Sequence, residues 1–148
     1  MFRDIIIISY NNYRSVLQNM SVGKHIILDL YDVNREILQN INTSTYYIFN
    51  DFIEHILKTA NVHLLSKNIH FFEFNNENKQ LSGAFTSLYL LSESHLSIHT
   101  WPEKDFIAID IFTCGNCNVE YIAQRFIDYF EPKNNQLTIL DRGKLKKK

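Results

Sequence analysis

The sequence carries almost no net charge: 15 Lys and Arg against 16 Asp and Glu leave −1. That balance gives no reason to expect nucleic acid or an anionic membrane as the main partner. It also lacks any apolar run near the roughly 20 residues needed to span a bilayer. The string Ile5-Ile6-Ile7-Ile8 is too short for a signal-peptide core, and Asp4 flanks it. A cytoplasmic protein is expected. Cysteine is scarce too: Cys114 and Cys117 are the only two. In a reducing compartment they read as free thiols, metal ligands or catalytic groups before a structural disulfide. There is no internal repeat and no long linker. What is present, 148 residues with 45% hydrophobic and 21% charged, suits one globular domain with one core.

Residues 1–22 read as an N-terminal extension, with a strand near Ile5–Ser9. A clearer strand, His25–Tyr31, follows Gly23, and 33–44 look irregular. Ile48, Phe49, Phe52, Ile53, Ile56, Leu57 and Ala60 recur at helical spacing and predict a helix over 46–60, capped by Thr43 or Ser44. A strand over 62–74, broken near Ser66–Asn68, leads into a polar loop, Asn75–Gln80. Strands are predicted near Phe85–Leu91, His95–Thr100 and Phe106–Cys114, with a turn at Trp101-Pro102. Val119, Ile122, Ala123, Phe126, Ile127 and Phe130 mark a second helix, with Asn118 as N-cap. A last strand, Gln136–Leu140, precedes the basic tail 144–148. The expected fold is α+β: a two-layer sandwich of a mainly antiparallel sheet with two helices packed on one face.

Alternation along a strand sorts side chains onto two faces. Leu96 and Ile98 share one face with Ile107, Ile109 and Ile111 as a helix-covered set; His95, Ser97, His99, Asp110, Phe112 and Cys114 are left to line a cleft or a subunit interface. Parity further suggests that Thr86, Ser94, His99 and Cys114 converge on one side of the sheet. Singly, each of these has a plain structural reading. Alternating Ser and His usually mean a solvated face, Trp101 is more often packing than a ligand contact, and a strand-end Cys is usually a small buried hydrophobe. His25, His55, His63 and His70 show no clustering.

The exception is one continuous string, Leu91-Ser92-Glu93-Ser94-His95-Leu96-Ser97-Ile98-His99-Thr100-Trp101-Pro102-Glu103, together with Phe112-Thr113-Cys114-Gly115. These residues closely resemble the S-adenosylmethionine decarboxylase proenzyme family, in its short prokaryotic type. The resemblance spans about 23–143, leaving the first 22 residues outside it.

It implies a chain that cuts itself between Glu93 and Ser94, giving a 1–93 β chain and a 94–148 α chain that begins with a pyruvoyl group. Decarboxylation leaves charge on the α carbon, and a carbonyl joined to the substrate amine as a Schiff base is the electron sink it needs. By matched position, Ser94 is the pyruvoyl precursor and His99 the processing base, since an imidazole titrating near ~6.5 suits proton transfer at neutral pH. Cys114 is the proton donor to the decarboxylated carbon, a thiol near ~8.5 being mostly protonated there. Glu103 binds the ribose hydroxyls, and Phe72 stacks on adenine. The implied reaction turns S-adenosylmethionine into its decarboxylated form, the aminopropyl donor of spermidine and polyamine synthesis. The family's short members form homodimers with sites near the subunit interface, and generally work without a metal.

Two departures from the family pattern stand out. A serine in a Gly-x-Ser-Gly turn usually assists processing; here Thr86 stands at that position without the glycines, with Gly83 earlier and Ser82 and Ser87 as other hydroxyls. Lys104-Asp105-Phe106 replaces a glycine-containing turn after Glu103. Three other readings remain open. A pyruvoyl enzyme of this kind could act on arginine or ornithine. A zinc module could use His95, His99, Cys114 and Cys117, although residues four apart on a strand are about 13 Å from each other. An uncleaved paralogue would need to dispense with intact Ser94, His99 and Cys114.

Overall fold

The computed structural model describes residues 21–72 and 82–144. The strand expected near Ile5–Ser9, the loop Asn75–Gln80 and most of the basic tail lie outside the described residues. Six strands alternate with three helices: β1 (Gly23–Tyr31), α1 (Arg35–Gln39), α2 (Tyr46–Thr59), β2 (Leu64–Phe71), β3 (Phe85–Leu91), β4 (Ser94–Trp101), β5 (Phe106–Cys114), α3 (Val119–Phe130) and β6 (Asn134–Arg142). The strands form one sheet in the order β2-β3-β4-β5-β1-β6, and every neighbouring pair is antiparallel. The α+β sandwich expected from the sequence is the fold observed.

Register aligns the aliphatic residues in rows. Ile111 lies between Ile26 and Leu96, and Ile109 between Leu28 and Ile98. All of these are buried, as are Phe49, Ile53, Ile56 and Leu57 of α2 and Ile122, Ala123, Phe126 and Phe130 of α3. Each such side chain contributes about 1.5–3 kcal/mol relative to exposure, so this single layer holds the helices to the sheet. The helical stripes read from the sequence are the faces that pack.

Three local details differ from expectation. Residues 35–39, read as irregular, form α1, because the Asn34 side chain accepts from the N–H groups of Glu36 and Ile37; a helix this short offers no periodicity to read. Thr45, rather than Thr43 or Ser44, is the N-cap of α2, and it makes no side-chain cap bond. β6 runs to Arg142 because β1 pairs with it along its whole length, Gly23 to Tyr31. Asn118 does cap α3, accepting from the Tyr121 N–H at 3.1 Å. The opposite face of the sheet carries no described helix. It presents His25, Ser97, His99, Asp110, Phe112 and Cys114, all partly exposed.

Candidate active site

β3 and β4 are a hairpin whose turn is Ser92-Glu93. At the open end of that hairpin, register puts Thr86 opposite His99, and the Thr86 Oγ1 hydrogen-bonds His99 Nδ1 at 2.7 Å. The bond fixes the ring's orientation and leaves Nε2 for other chemistry. Ser87 has the opposite parity and is buried, while the Ser82 hydroxyl donates to the Gln39 carbonyl. Of the three hydroxyls, Thr86 is the one that meets His99.

The missing turn glycines are replaced by other means. Gly83 has φ +89, and a Cβ there would sit 2.4 Å from the Leu38 carbonyl oxygen. The Thr100 hydroxyl donates to the Gly83 carbonyl at 2.6 Å and accepts from the Phe85 N–H at 2.8 Å. Asp105 takes the left-handed turn position at φ +47. Its carboxylate is gripped by both the Nε and Nη2 of Arg35, at 2.7 and 2.5 Å.

Around the Thr86–His99 pair lies a cleft of about 300 Å³, also lined by Phe72, Trp101 and Glu103. Phe72 is 45% exposed, which leaves an aromatic face free for a planar ligand. Glu103 stands on a turn of 3-10 helix, Pro102–Lys104, directly after β4. An imidazole, a hydroxyl, a carboxylate and two aromatic rings therefore converge at one end of the hairpin.

Glu93, Ser94 and Cys114 occupy the other end. Ser94 starts β4 and Cys114 ends β5. The Cys114 N–H donates to the Glu93 carbonyl at 2.9 Å. Ser94 has φ +143, a backbone conformation that non-glycine residues rarely hold. Register pairs Ser94 with Leu91 and Thr113 of the helix-covered set, and its irregular backbone interrupts the alternation there. The expected convergence of Thr86, Ser94, His99 and Cys114 is thus not met in one chain. Five strand positions separate Ser94 from His99, about 17 Å at the usual rise per residue. Parity assigns a face; it says nothing of distance along the strand.

The Glu93 carboxylate is held by a residue that sequence reasoning passed over. It accepts from the His63 N–H at 2.9 Å and from the His63 ring Nδ1 at 2.6 Å. Burial pushes the Glu93 carboxyl up, but the hydrogen bonds from His63 and Ser92 outweigh it and bring it down to about 2. No periodic pattern could reveal a contact between residues 30 apart in sequence. Next to it, Cys117 Sγ contacts the Cys114 carbonyl at 3.3 Å. Burial, then the Glu93 charge and Cys114, push this thiol up. His95 and His99 lie four positions apart on β4, and among the described residues no group of three or more His, Cys, Asp or Glu is placed to hold a metal ion. No helix among those residues is long and apolar enough to cross a membrane.

Comparison with known proteins adds an independent line. A family model described as S-adenosylmethionine decarboxylase matches residues 24–143. The S-adenosylmethionine decarboxylase proenzyme of Archaeoglobus fulgidus is 34% identical over 125 residues, covering 84% of this chain and 100% of its own. That of Sulfurihydrogenibium is 37% identical over 124 residues, covering 83% and 84%. The crystal structure of the adenosylmethionine decarboxylase from Aquifex aeolicus superposes with a TM-score of 0.65 at 27% identity, covering 87% of this chain and 97% of that one.

Proposed function

The chain belongs to the S-adenosylmethionine decarboxylase family, and from that premise we propose that it cuts itself between Glu93 and Ser94 and then decarboxylates S-adenosylmethionine on the pyruvoyl end so formed. Its activity is that of a carboxy-lyase made as a proenzyme, releasing CO2 and decarboxylated S-adenosylmethionine. The product serves polyamine synthesis in the cytoplasm.

The observation that carries the cleavage site is the carbonyl of Glu93, held by the Cys114 N–H beside the irregular backbone of Ser94. The Ser94 hydroxyl adds to that carbonyl carbon. Negative charge then grows on the oxygen that already accepts the Cys114 N–H, the arrangement that stabilises a tetrahedral intermediate. The C–N bond breaks, the nitrogen keeps the hydroxyl proton, and an ester links Glu93 to Ser94. Removal of the Ser94 α proton breaks the Cβ–O bond and frees the Glu93 carboxylate. The dehydroalanine left behind tautomerises, and water converts it to a ketone with loss of ammonia. A non-glycine residue held in a sparsely populated conformation stores on the order of 1–3 kcal/mol, which favours a reaction that begins at this peptide bond. The resulting pyruvoyl carbonyl supplies an electron sink for a substrate amine.

The products are residues 1–93 and 94–148 of one domain spanning 23–143. His99 acts as processing base and Thr86 orients it. Because Ser94 and His99 stand about 17 Å apart in one chain, the base reaches Ser94 from a second copy. A homodimer with two-fold symmetry does this twice over: what one copy gives, it also receives. The exposed face, with His25, Ser97, Asp110 and Phe112, is the surface available for that pairing. Cys114 donates the proton to the substrate carbon, Glu103 takes the ribose hydroxyls and Phe72 stacks on adenine. Arginine or ornithine would leave Phe72 and Glu103 without a nucleoside to bind.

Intact-mass spectrometry of the purified protein tests this reading. Two fragments are expected, divided after Glu93, the second with a ketone terminus, together with CO2 release from S-adenosylmethionine. Cleavage at the same bond in a Ser94→Ala variant would refute the mechanism.

A further inference from the structure

The turn that holds the scissile bond is anchored from outside its own hairpin, by one residue. His63 lies between α2 and β2 and makes three hydrogen bonds to Ser92-Glu93. Its carbonyl accepts from the Ser92 N–H at 3.0 Å. Its N–H donates to Glu93 Oε2 at 2.9 Å, and its ring Nδ1 lies 2.6 Å from Glu93 Oε1. An ionised carboxylate can only accept, so Nδ1 is the protonated ring nitrogen in this contact. The carboxylate is thereby held at both oxygens, by the main chain and the side chain of the same residue.

His63 is itself fixed. Val62 before it is buried in the core. The Val62 N–H donates to the Leu57 carbonyl at 2.9 Å, closing the end of α2. The Ala60 carbonyl accepts from the Asn118 N–H at 3.1 Å, and the Cys117 Sγ donates to the Asn61 carbonyl at 3.5 Å. The segment that carries His63 is therefore tied to residues 114–118, whose first member gives its N–H to the Glu93 carbonyl. Glu93 is held at its carbonyl by Cys114 and at its carboxylate by His63, two anchors joined by a shared loop.

An ordinary surface ion pair would account for the ring contact alone. The His63 side chain is 70% exposed and the Glu93 side chain 15%, and a pair so open contributes little to folding. Three bonds from one residue to two successive turn residues do something else. They remove the rotations by which Glu93 could swing its carbonyl away from Ser94. Attack by a hydroxyl on a neighbouring carbonyl depends steeply on such alignment.

We propose that His63 is a positioning residue for self-cleavage: by clamping the Glu93 carboxylate it holds the Glu93 carbonyl in line for attack by the Ser94 hydroxyl. The proposal rests on the self-cleavage described above. It assigns His63 to the acyl shift, in which the amide C–N bond breaks and the ester C–O bond forms, and not to the later elimination.

The test is a time course of cleavage by intact mass on freshly translated full-length protein. Four variants are compared: His63→Ala, His63→Asn, Glu93→Ala and the double variant His63→Ala/Glu93→Ala. An asparagine amide nitrogen occupies the place of Nδ1 and can donate in its stead. His63→Ala should slow cleavage about 10-fold or more, while His63→Asn should restore at least half the wild-type rate. Glu93→Ala should be as slow as His63→Ala, and the double variant no slower than either, because both remove one contact. Melting temperatures should agree within about 2 °C, as expected for an exposed pair. Added hydroxylamine, which cuts esters, should release no extra fragment from His63→Ala, since the amide itself persists. Cleavage of His63→Ala within twofold of wild type would overturn the proposal, as would equal slowing by His63→Asn or an ester that accumulates and yields to hydroxylamine. A wild-type chain that never cleaves would instead overturn the self-cleavage reading on which it rests.

Discussion

Ser94 and His99 sit at opposite ends of the same strand, β4, separated by about 17 Å at the usual strand rise. A base that must take a proton from Ser94 cannot reach it from there within one chain. The Thr86–His99 pair also lines the cleft with Phe72 and Glu103, whereas the Glu93 carbonyl is bonded to Cys114 at the far end. The residues that would hold the nucleoside and the residue that would become the carbonyl are thus held in separate halves.

Mixed dimers test this division. Ser94→Ala and His99→Ala should each fail to cleave when made alone. Co-expressed, they should give cleaved chain, and mass spectrometry should find the cut only in the chain that carries His99→Ala. Each mixed dimer then holds one intact pairing of Ser94 with His99. No cleavage in a co-purified mixed dimer would argue that processing does not cross between copies.

The Thr86 hydroxyl bonded to His99 Nδ1 stands where the related enzymes usually carry serine. Thr86→Ser should process within a few-fold of wild type, since the hydroxyl remains. Thr86→Ala frees the ring and should slow cleavage about 10–100-fold, the equivalent of a hydrogen bond of roughly 1.5–3 kcal/mol to a group that becomes charged. Gel-resolved time courses suffice. Equal rates for the two variants would assign Thr86 to packing alone.

Cys114 has two separable parts. Its N–H bonds the Glu93 carbonyl, and its thiol is assigned to substrate protonation. Cys114→Ala keeps the first and loses the second. It should still yield both fragments, yet release CO2 from S-adenosylmethionine with kcat lowered about 10²–10⁴-fold, the usual worth of a positioned proton donor. Full turnover in that variant would move the proton donor elsewhere.

Much of this architecture was legible in advance because it is periodic. The stripes of α2 and α3 and the alternation in β4 and β5 follow directly from burying one face of each element. What could not be read was set by contacts across the chain. α1 exists through an Asn34 cap and has too few residues for a stripe. Asp105 could replace glycine in a left-handed turn because Arg35, 70 residues away, holds its carboxylate. His63 meets Glu93 only because the end of α2 comes back beside the β3–β4 turn. The family string named the reactive residues, but the sequence carries no ruler along the strand, so the separation of Ser94 from His99 emerged only with the pairing register.

The Glu93 carboxylate predicts a specific response to acid. Its folded-state pKa lies at about 2, below the ordinary 4.5. The folded state therefore favours the ionised form. The stabilisation is complete above about 4.5 and is lost as pH falls toward 2. Solvent around His63 screens the pair, so its worth is about 1 kcal/mol. In the uncut Ser94→Ala background, adding Glu93→Gln should lower the melting temperature by about 2–4 °C at pH 6. The two melting curves should converge as pH approaches 2.5. A gap that persists at low pH would show that something other than the charge of Glu93 is responsible.

Phe72 and Glu103 tie the substrate to a nucleoside. Phe72 is exposed at the cleft, and Glu103 follows the end of β4. Stacking on a base is worth about 1–3 kcal/mol when removed by alanine substitution, so Phe72→Ala should raise KM for S-adenosylmethionine about 5–150-fold. Glu103→Gln keeps the shape and removes the charge that strengthens bonds to two hydroxyls, and it should raise KM about 10-fold. Self-cleavage should proceed in both, because neither residue meets the Glu93-Ser94 bond. The two variants should also lose affinity for an adenosine analogue that lacks the amino-acid portion, measured by calorimetry. If KM for S-adenosylmethionine is unchanged while turnover of arginine or ornithine collapses, the cleft recognises an amino-acid side chain and the nucleoside assignment fails.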